Sequence, residues 1–146
     1  MPVIVVGADT ETGERILEGL HDPNREIRVF VSDESTGLLM RERGYKVALG
    51  DVSDESHVEA AATRCFSAVL VAEAALDSRE RSFAEDPATV LRGWASAVRN
   101  SRVSRVIWVI DEEHPPTAVG EVAAVRPDDP DLASVVAGLD DAQSIG

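Results

Sequence analysis

The chain is short of the residues that carry most covalent and metal chemistry. Cys65 is its one cysteine, which excludes an internal disulfide and a two-cysteine metal site. Placed beside Phe66 at the edge of an expected strand, it reads as a small buried residue. Tyr45 is the one tyrosine and Lys46 the one lysine, so every other basic residue is arginine. Aromatic residues amount to 4%, and Trp94 and Trp108 are expected in the core or an interface. Missing too is any apolar run near the roughly 18–20 residues that cross a bilayer. The first residues enter a strand without the basic, apolar, small-residue order of a signal peptide. A soluble, cytoplasmic protein is expected.

Positive charge is equally scarce. Fourteen basic residues stand against 27 acidic ones, a net charge of −13. Such a surface repels nucleic acid and anionic lipid, so neither is an expected partner. The 146 residues are enough for one domain, 1–146, that buries roughly 68–70% of the surface of its unfolded chain. No repeat, low-complexity tract or linker divides it.

One stretch organises the rest: Val3-Ile-Val-Val-Gly-Ala-Asp-Thr-Glu-Thr-Gly13. Four branched apolar residues in a row read as a strand buried on both faces of a parallel sheet. The run stops at Gly7, a second glycine follows at Gly13, and Ile16, Leu17 and Leu20 then fall at helical spacing. Strand, glycine-bounded turn and helix open a nucleotide-binding βαβ unit, in which backbone N–H groups at a helix N-terminus meet a phosphate.

The rhythm continues along the chain. Strands are expected at 27–32, 45–49, 67–72, 106–110 and 119–125. Helices are expected from Asp33 to Gly44, from Ser53 or Asp54 through Ala62, from Asp86-Pro87 to about Ser101, and from Asp131 to Leu139. Glu73 to Glu85 is polar and irregular, the expected mobile loop. Strands alternating with helices predict a three-layer, doubly wound parallel sheet of about six strands with helices on both faces.

Gly7-Ala-Asp-Thr-Glu-Thr-Gly13 resembles the GATGxxG loop of the atypical short-chain dehydrogenase/reductases, especially their NmrA-like and epimerase-like branches. It matches at the first, second and last positions. Gly50-Asp-Val-Ser-Asp54 resembles that family's GDxxD, Ser104 to Ile110 its fifth strand, and Arg126-Pro127 and Asp131-Leu-Ala133 its later RP and DxA. The resemblance implies a dinucleotide site made by Gly7, Asp9, Thr10, Glu11, Thr12 and Gly13 around the pyrophosphate. Ser32 and Asp33 would lie at the ribose, Asp51 and Val52 at the adenine, and Ala72 and Glu73 at the end of the fourth strand. Asp33 without a preceding arginine favours NAD over NADP; it equally suits a helix N-cap. Asp51 equally suits a turn.

Other features of the same resemblance point away from reduction. The family's catalytic serine falls at Ile110 or Asp111, its Tyr-x-x-x-Lys pair is missing, and the span from Asp111 to Thr117 has no room for the helix that bears it. The family's substrate-binding C-terminal part is also missing. Where family loops carry glycine, Thr10 adds a Cβ, and Asp9, Glu11 and Glu14 surround the phosphate position; these acids also suit helix capping and first-turn charge with no ligand present. His114 with Asp111, Glu112 and Glu113 could ligate a metal, although four adjacent residues read better as a solvated loop. His21 and His57 read as exposed helix residues. The expectation is a non-catalytic cofactor-sensing or regulatory protein. Two alternatives stand beside it: a cofactor-free scaffold acting as a protein-interaction module, and a small oxidoreductase. A homodimer, built on apolar surface left by the missing part, is the expected assembly.

Overall fold

The computed structural model describes residues 2–76 and 86–145. Its order of elements is β1 (Val3–Val6), α1 (Glu11–Leu20), β2 (Ile27–Val31), α2 (Glu34–Glu42), β3 (Lys46–Leu49), α3 (Glu55–Ala62) and β4 (Ser67–Val71). There follow α4 (Glu73–Leu76), α5 (Pro87–Asn100), β5 (Arg105–Val109), β6 (Glu121–Val125) and α6 (Leu132–Asp141). The six strands form one sheet in the order β3-β2-β1-β4-β5-β6, and every pairing is parallel. The strand order reverses between β1 and β4, which is where open α/β sheets place their ligands.

Both faces of the sheet are covered, as an all-parallel sheet requires. Val3, Val5, Val29, Val69 and Ile107 pack with α1, α2 and α6. Ile4, Val6, Phe30, Leu70 and Trp108 pack with α3, α4 and α5. Trp94 and Trp108 are both fully buried, as expected of core aromatics. Cys65 is buried too, and burial raises the pKa of its thiol.

Local signals act as the sequence implies. Asp33, Asp54 and Asp86 cap α2, α3 and α5 with their carboxylates. Asp54, not Ser53, is the cap of α3. Asp131 precedes α6 without a side-chain cap bond. One expectation needs correction: the segment from Glu73 does not begin as an irregular loop, because Glu73–Leu76 is a helical turn. Residues 77–85 of that segment lie outside the described residues. No described helix separates β5 from β6.

The fold is closed off at its last helix by arginines. Arg105, fully buried on β5, donates to the carbonyls of Leu139 (2.8 Å), Asp140 (3.1 Å) and Ala142 (2.7 Å) and to the Glu121 carboxylate at 3.1 and 3.2 Å. A cation at a helix C-terminus satisfies carbonyls that the helix leaves unpaired and complements its dipole. Arg25 pairs with Asp140 and Asp141 and donates to the Leu20 carbonyl, tying the ends of α1 and α6 together. Among the described residues no helix is long and apolar enough to cross a membrane.

Candidate functional site

The turn from β1 to α1 lies at the reversal point. Gly7 has φ +89°, and a Cβ there would stand 2.9 Å from Val71 Cβ and 3.0 Å from the Val71 carbonyl oxygen. The turns following β1 and β4 therefore touch, and only glycine allows it. At Gly13 a Cβ would meet the Gly7 oxygen at 2.0 Å. That glycine lets α1 seat directly on the turn.

Thr10 is the N-cap of α1. Its hydroxyl donates to the Gly7 carbonyl at 2.6 Å and accepts from the Gly13 N–H at 2.9 Å. The next contact is one the sequence did not reveal. The Thr12 N–H donates to Glu73 Oε2 at 3.1 Å, across 61 residues of sequence. A helix N-terminus attracts an anion through its unpaired N–H groups and its dipole. Here the anion is the protein's own carboxylate.

Of the acids in the turn, Glu11 and Glu14 stand in the first turn of α1, the placement of negative charge that the helix dipole favours. Glu14 is turned onto α2, where both its oxygens accept from Arg43 at 2.9 Å, and this pairing raises the Arg43 pKa. Asp9 and Glu11 are exposed. The carboxylate bonded to the Thr12 N–H at the start of α1 is thus Glu73, from the turn after β4. Glu73 carried a signal, as the residue after β4, but its contact with Thr12 depends on how closely two distant turns approach.

Asp33 follows β2 and caps α2. Its Oδ2 accepts from the Ser35 hydroxyl (2.5 Å), the Thr36 N–H (2.9 Å) and the Thr36 hydroxyl (2.9 Å). These donors, the Ser35 hydroxyl foremost, hold the carboxyl below its ordinary pKa. All three bonds converge on one oxygen. Ser32 beside it is exposed.

Asp51 closes its own turn, accepting from the Ser53 N–H at 2.8 Å and the Ser53 hydroxyl at 2.6 Å. The Val52 carbonyl accepts from the buried Trp94 indole at 2.8 Å. His57 is more than an exposed helix residue: its Nδ1 accepts from the Asp51 N–H at 3.0 Å, and its Nε2 lies 3.3 Å from Asp54 Oδ2. Three residues of the sequence pattern are therefore held from below by Trp94 and His57. Ala72 donates its N–H to the Val109 carbonyl at 3.0 Å, linking the ends of β4 and β5.

Beyond β5 the side chain of Ile110 is 7% exposed, and Asp111 to Glu113 are exposed. No group of three metal-ligating side chains forms a metal site among the described residues, so Asp111, Glu112, Glu113 and His114 do not converge. His114 is nevertheless not a solvated loop residue. It is half-buried, and its ring stacks on Trp108 at 5.6 Å and 6°.

No protein-family model matches the chain, and no curated protein matches it in sequence. Solved structures do resemble it. Triphenylmethane reductase of Citrobacter sp., in complex with NADP(H), superposes with a TM-score of 0.62 at 15% identity, over 75% of this chain and 37% of that one. The NADPH-dependent quinone oxidoreductase of Escherichia coli, in complex with NADPH, gives 0.60 at 18% identity, over 73% and 36%. The anaerobilin reductase ChuY of Escherichia coli O157:H7 gives 0.57 at 20%, over 75% and 50%. The matches take in half or less of each of these proteins. The fold they share with this chain is a Rossmann-like α/β scaffold, as the sequence resemblance implied.

Proposed function

We propose that the chain is a minimal NAD(P)-binding-type domain that takes a dinucleotide weakly and conditionally, and senses it rather than reducing a substrate with it. The observation that carries this reading is the Glu73 carboxylate on the Thr12 N–H. A phosphate entering there must displace that carboxylate and tolerate it nearby. Two unit charges about 4 Å apart interact by about 4 kcal/mol at an effective dielectric near 20. The helix terminus offers an anion about 0.3–2 kcal/mol in return. Repulsion exceeds attraction until Glu73 moves, which makes occupancy conditional.

NAD fits better than NADP. Asp33 holds its capping bonds through Oδ2 alone, which leaves Oδ1 for ribose hydroxyls, and its charge opposes a 2′-phosphate. The lack of a Tyr-x-x-x-Lys pair and the Ile110-Asp111 step after β5 support a role without hydride transfer to a carbonyl substrate. Calorimetric titration with NAD, NADH, NADP and NADPH tests the reading, together with NADH oxidation against quinones, flavins and aldehydes. Expected are dissociation constants near the millimolar range, NAD species ahead of NADP species, and no turnover. Micromolar binding with turnover would favour a small oxidoreductase instead. Absence of binding, with or without Glu73, would favour the cofactor-free interaction module, for which Leu38 (57% exposed), Leu39 (62%) and Leu49 (44%) offer apolar surface.

A further inference from the structure

We propose that the free edge of β3, with the flank of α2 above it, is the surface on which two copies of this chain pair about a two-fold axis. β3 stands at one end of the strand order and pairs on one side only, with β2. The Gly50 N–H, just past the strand, donates to the Val31 carbonyl of β2 at 3.0 Å. Backbone direction alternates along a strand, so the N–H and C=O groups of Val47 and Leu49 point away from β2. Such a row is a template for another strand. Apolar surface borders it, because Leu38 and Leu49 are both exposed. A Cβ at Gly37 would stand 3.2 Å from both Leu49 Cδ2 and Val47 Cγ1, so α2 rests directly on this outermost strand. Glu34, Leu38 and Arg41 share one flank of α2 by their spacing, next to Gly37, and all three are exposed. Leu39 stands on the other flank with Arg43, four residues on, which reaches Glu14 of α1.

The charge pattern selects a second copy as the occupant. At about 1.5 Å of rise per residue, Glu34 and Arg41 lie about 5 Å to either side of the midpoint between Gly37 and Leu38. A two-fold axis normal to the sheet at Ala48 pairs Val47 with the partner's Leu49 in an antiparallel ladder. The same axis keeps both α2 helices on one face of the joined sheet and lays them antiparallel, side by side. Glu34 then meets the partner's Arg41, and Arg41 the partner's Glu34, with the two Leu38 side chains between them. Reciprocal contact of this kind is the mark of an isologous interface. Lys46, a residue type that blunts strand edges, stands opposite the partner's Gly50, which has no side chain to crowd. Against the pairing acts the repulsion between two chains of net charge −13, which physiological salt screens beyond about 8 Å. Glu73 and Thr12 take no part in this pairing, so it stands apart from the dinucleotide reading.

Sedimentation equilibrium of the intact chain, in about 0.15 M salt and from micromolar to millimolar concentration, tests it. One monomer–dimer equilibrium without larger species is expected, since a two-fold contact closes on itself. Leu38→Glu, which sets two carboxylates against each other at the axis, should weaken dimerisation at least about tenfold. Glu34→Arg and Arg41→Glu should each weaken it about five- to tenfold, because each brings like charges together twice. The double variant Glu34→Arg/Arg41→Glu should return to within about threefold of the parent. Leu39→Glu, on the other flank of α2, should leave dimerisation unchanged. Circular dichroism checks that every variant keeps its helices. A chain that stays monomeric at millimolar concentration would overturn the proposal and leave the edge to a different partner. So would a dimer indifferent to Leu38→Glu, which is built elsewhere, or a double variant no better than either single change.

Discussion

Adding one methyl group at Gly13 should separate packing from ligand chemistry in the β1–α1 turn. A Cβ at Gly13 would lie 2.0 Å from the Gly7 carbonyl oxygen and 2.8 Å from Ala8 Cα, where ordinary contact begins at 3.4 Å. The obstacle is backbone, so a rotamer change cannot relieve it. Helix α1 must retreat by more than an ångström, and it carries the buried Ile16, Leu17 and Leu20. Overpacking of this kind costs about 1–3 kcal/mol, and an immovable obstacle puts Gly13→Ala at the upper end. Alanine's better helix propensity returns about 1 kcal/mol. The net loss is about 2 kcal/mol, a fall in Tm of about 4–8 °C for a domain of this size. Gly138 on α6 has nothing within 4 Å of a Cβ position. There the same substitution should gain about 0.8–1 kcal/mol. Urea unfolding of both variants, at unchanged m-value, is the assay. Equal stability of Gly13→Ala and the parent would refute the close seating of α1. Because Gly13 variants act on the fold, they are poor tests of nucleotide binding.

Removing the guanidinium in Arg105→Met should cost about 3–5 kcal/mol, because it breaks a buried pair and strands the carbonyls at the end of α6. The double variant with Glu121→Met should recover part of that loss in urea unfolding. Asp33 contributes stability with a definite pH dependence. Its folded pKa is depressed, by the Ser35 hydroxyl first and then by Thr36. The contribution is therefore complete above its unfolded pKa and is lost as pH falls through the lower folded value. The urea midpoints of the parent and Asp33→Ala should differ at pH 7 and converge on acidification; a gap that widens in acid would contradict the cap.

The sheet was legible because its signals are local. Buried runs such as Val3–Val6, caps such as Asp86 before Pro87, and glycine stops reproduce the observed elements to within two residues at nearly every boundary. The resemblance also led to the right scaffold. The site was less legible because its decisive contacts join residues far apart in sequence. Glu14 looked like an obstacle to phosphate, yet Arg43, 29 residues away, draws it off. Glu73 reaches Thr12 only because Gly7 lets two turns touch. His57 carried no signal, and His114 drew notice only beside its acidic neighbours; one supports the Asp51 turn and the other stacks on Trp108. Asp33 and Asp51 could each be read as ligand contact or turn former, and in the structure both carboxylates form turns or caps.

The central claim is that Glu73 holds the phosphate position shut, and the most direct measurement is the affinity of Glu73→Gln for NAD relative to the parent. The substitution keeps size and one acceptor oxygen but removes the charge. An unscreened pair would give about 4 kcal/mol; Glu73 is only half-buried, and salt screening reduces this. The account predicts tighter binding by about ten- to a hundredfold, shrinking as salt is raised. Unchanged or weaker binding by Glu73→Gln would contradict it.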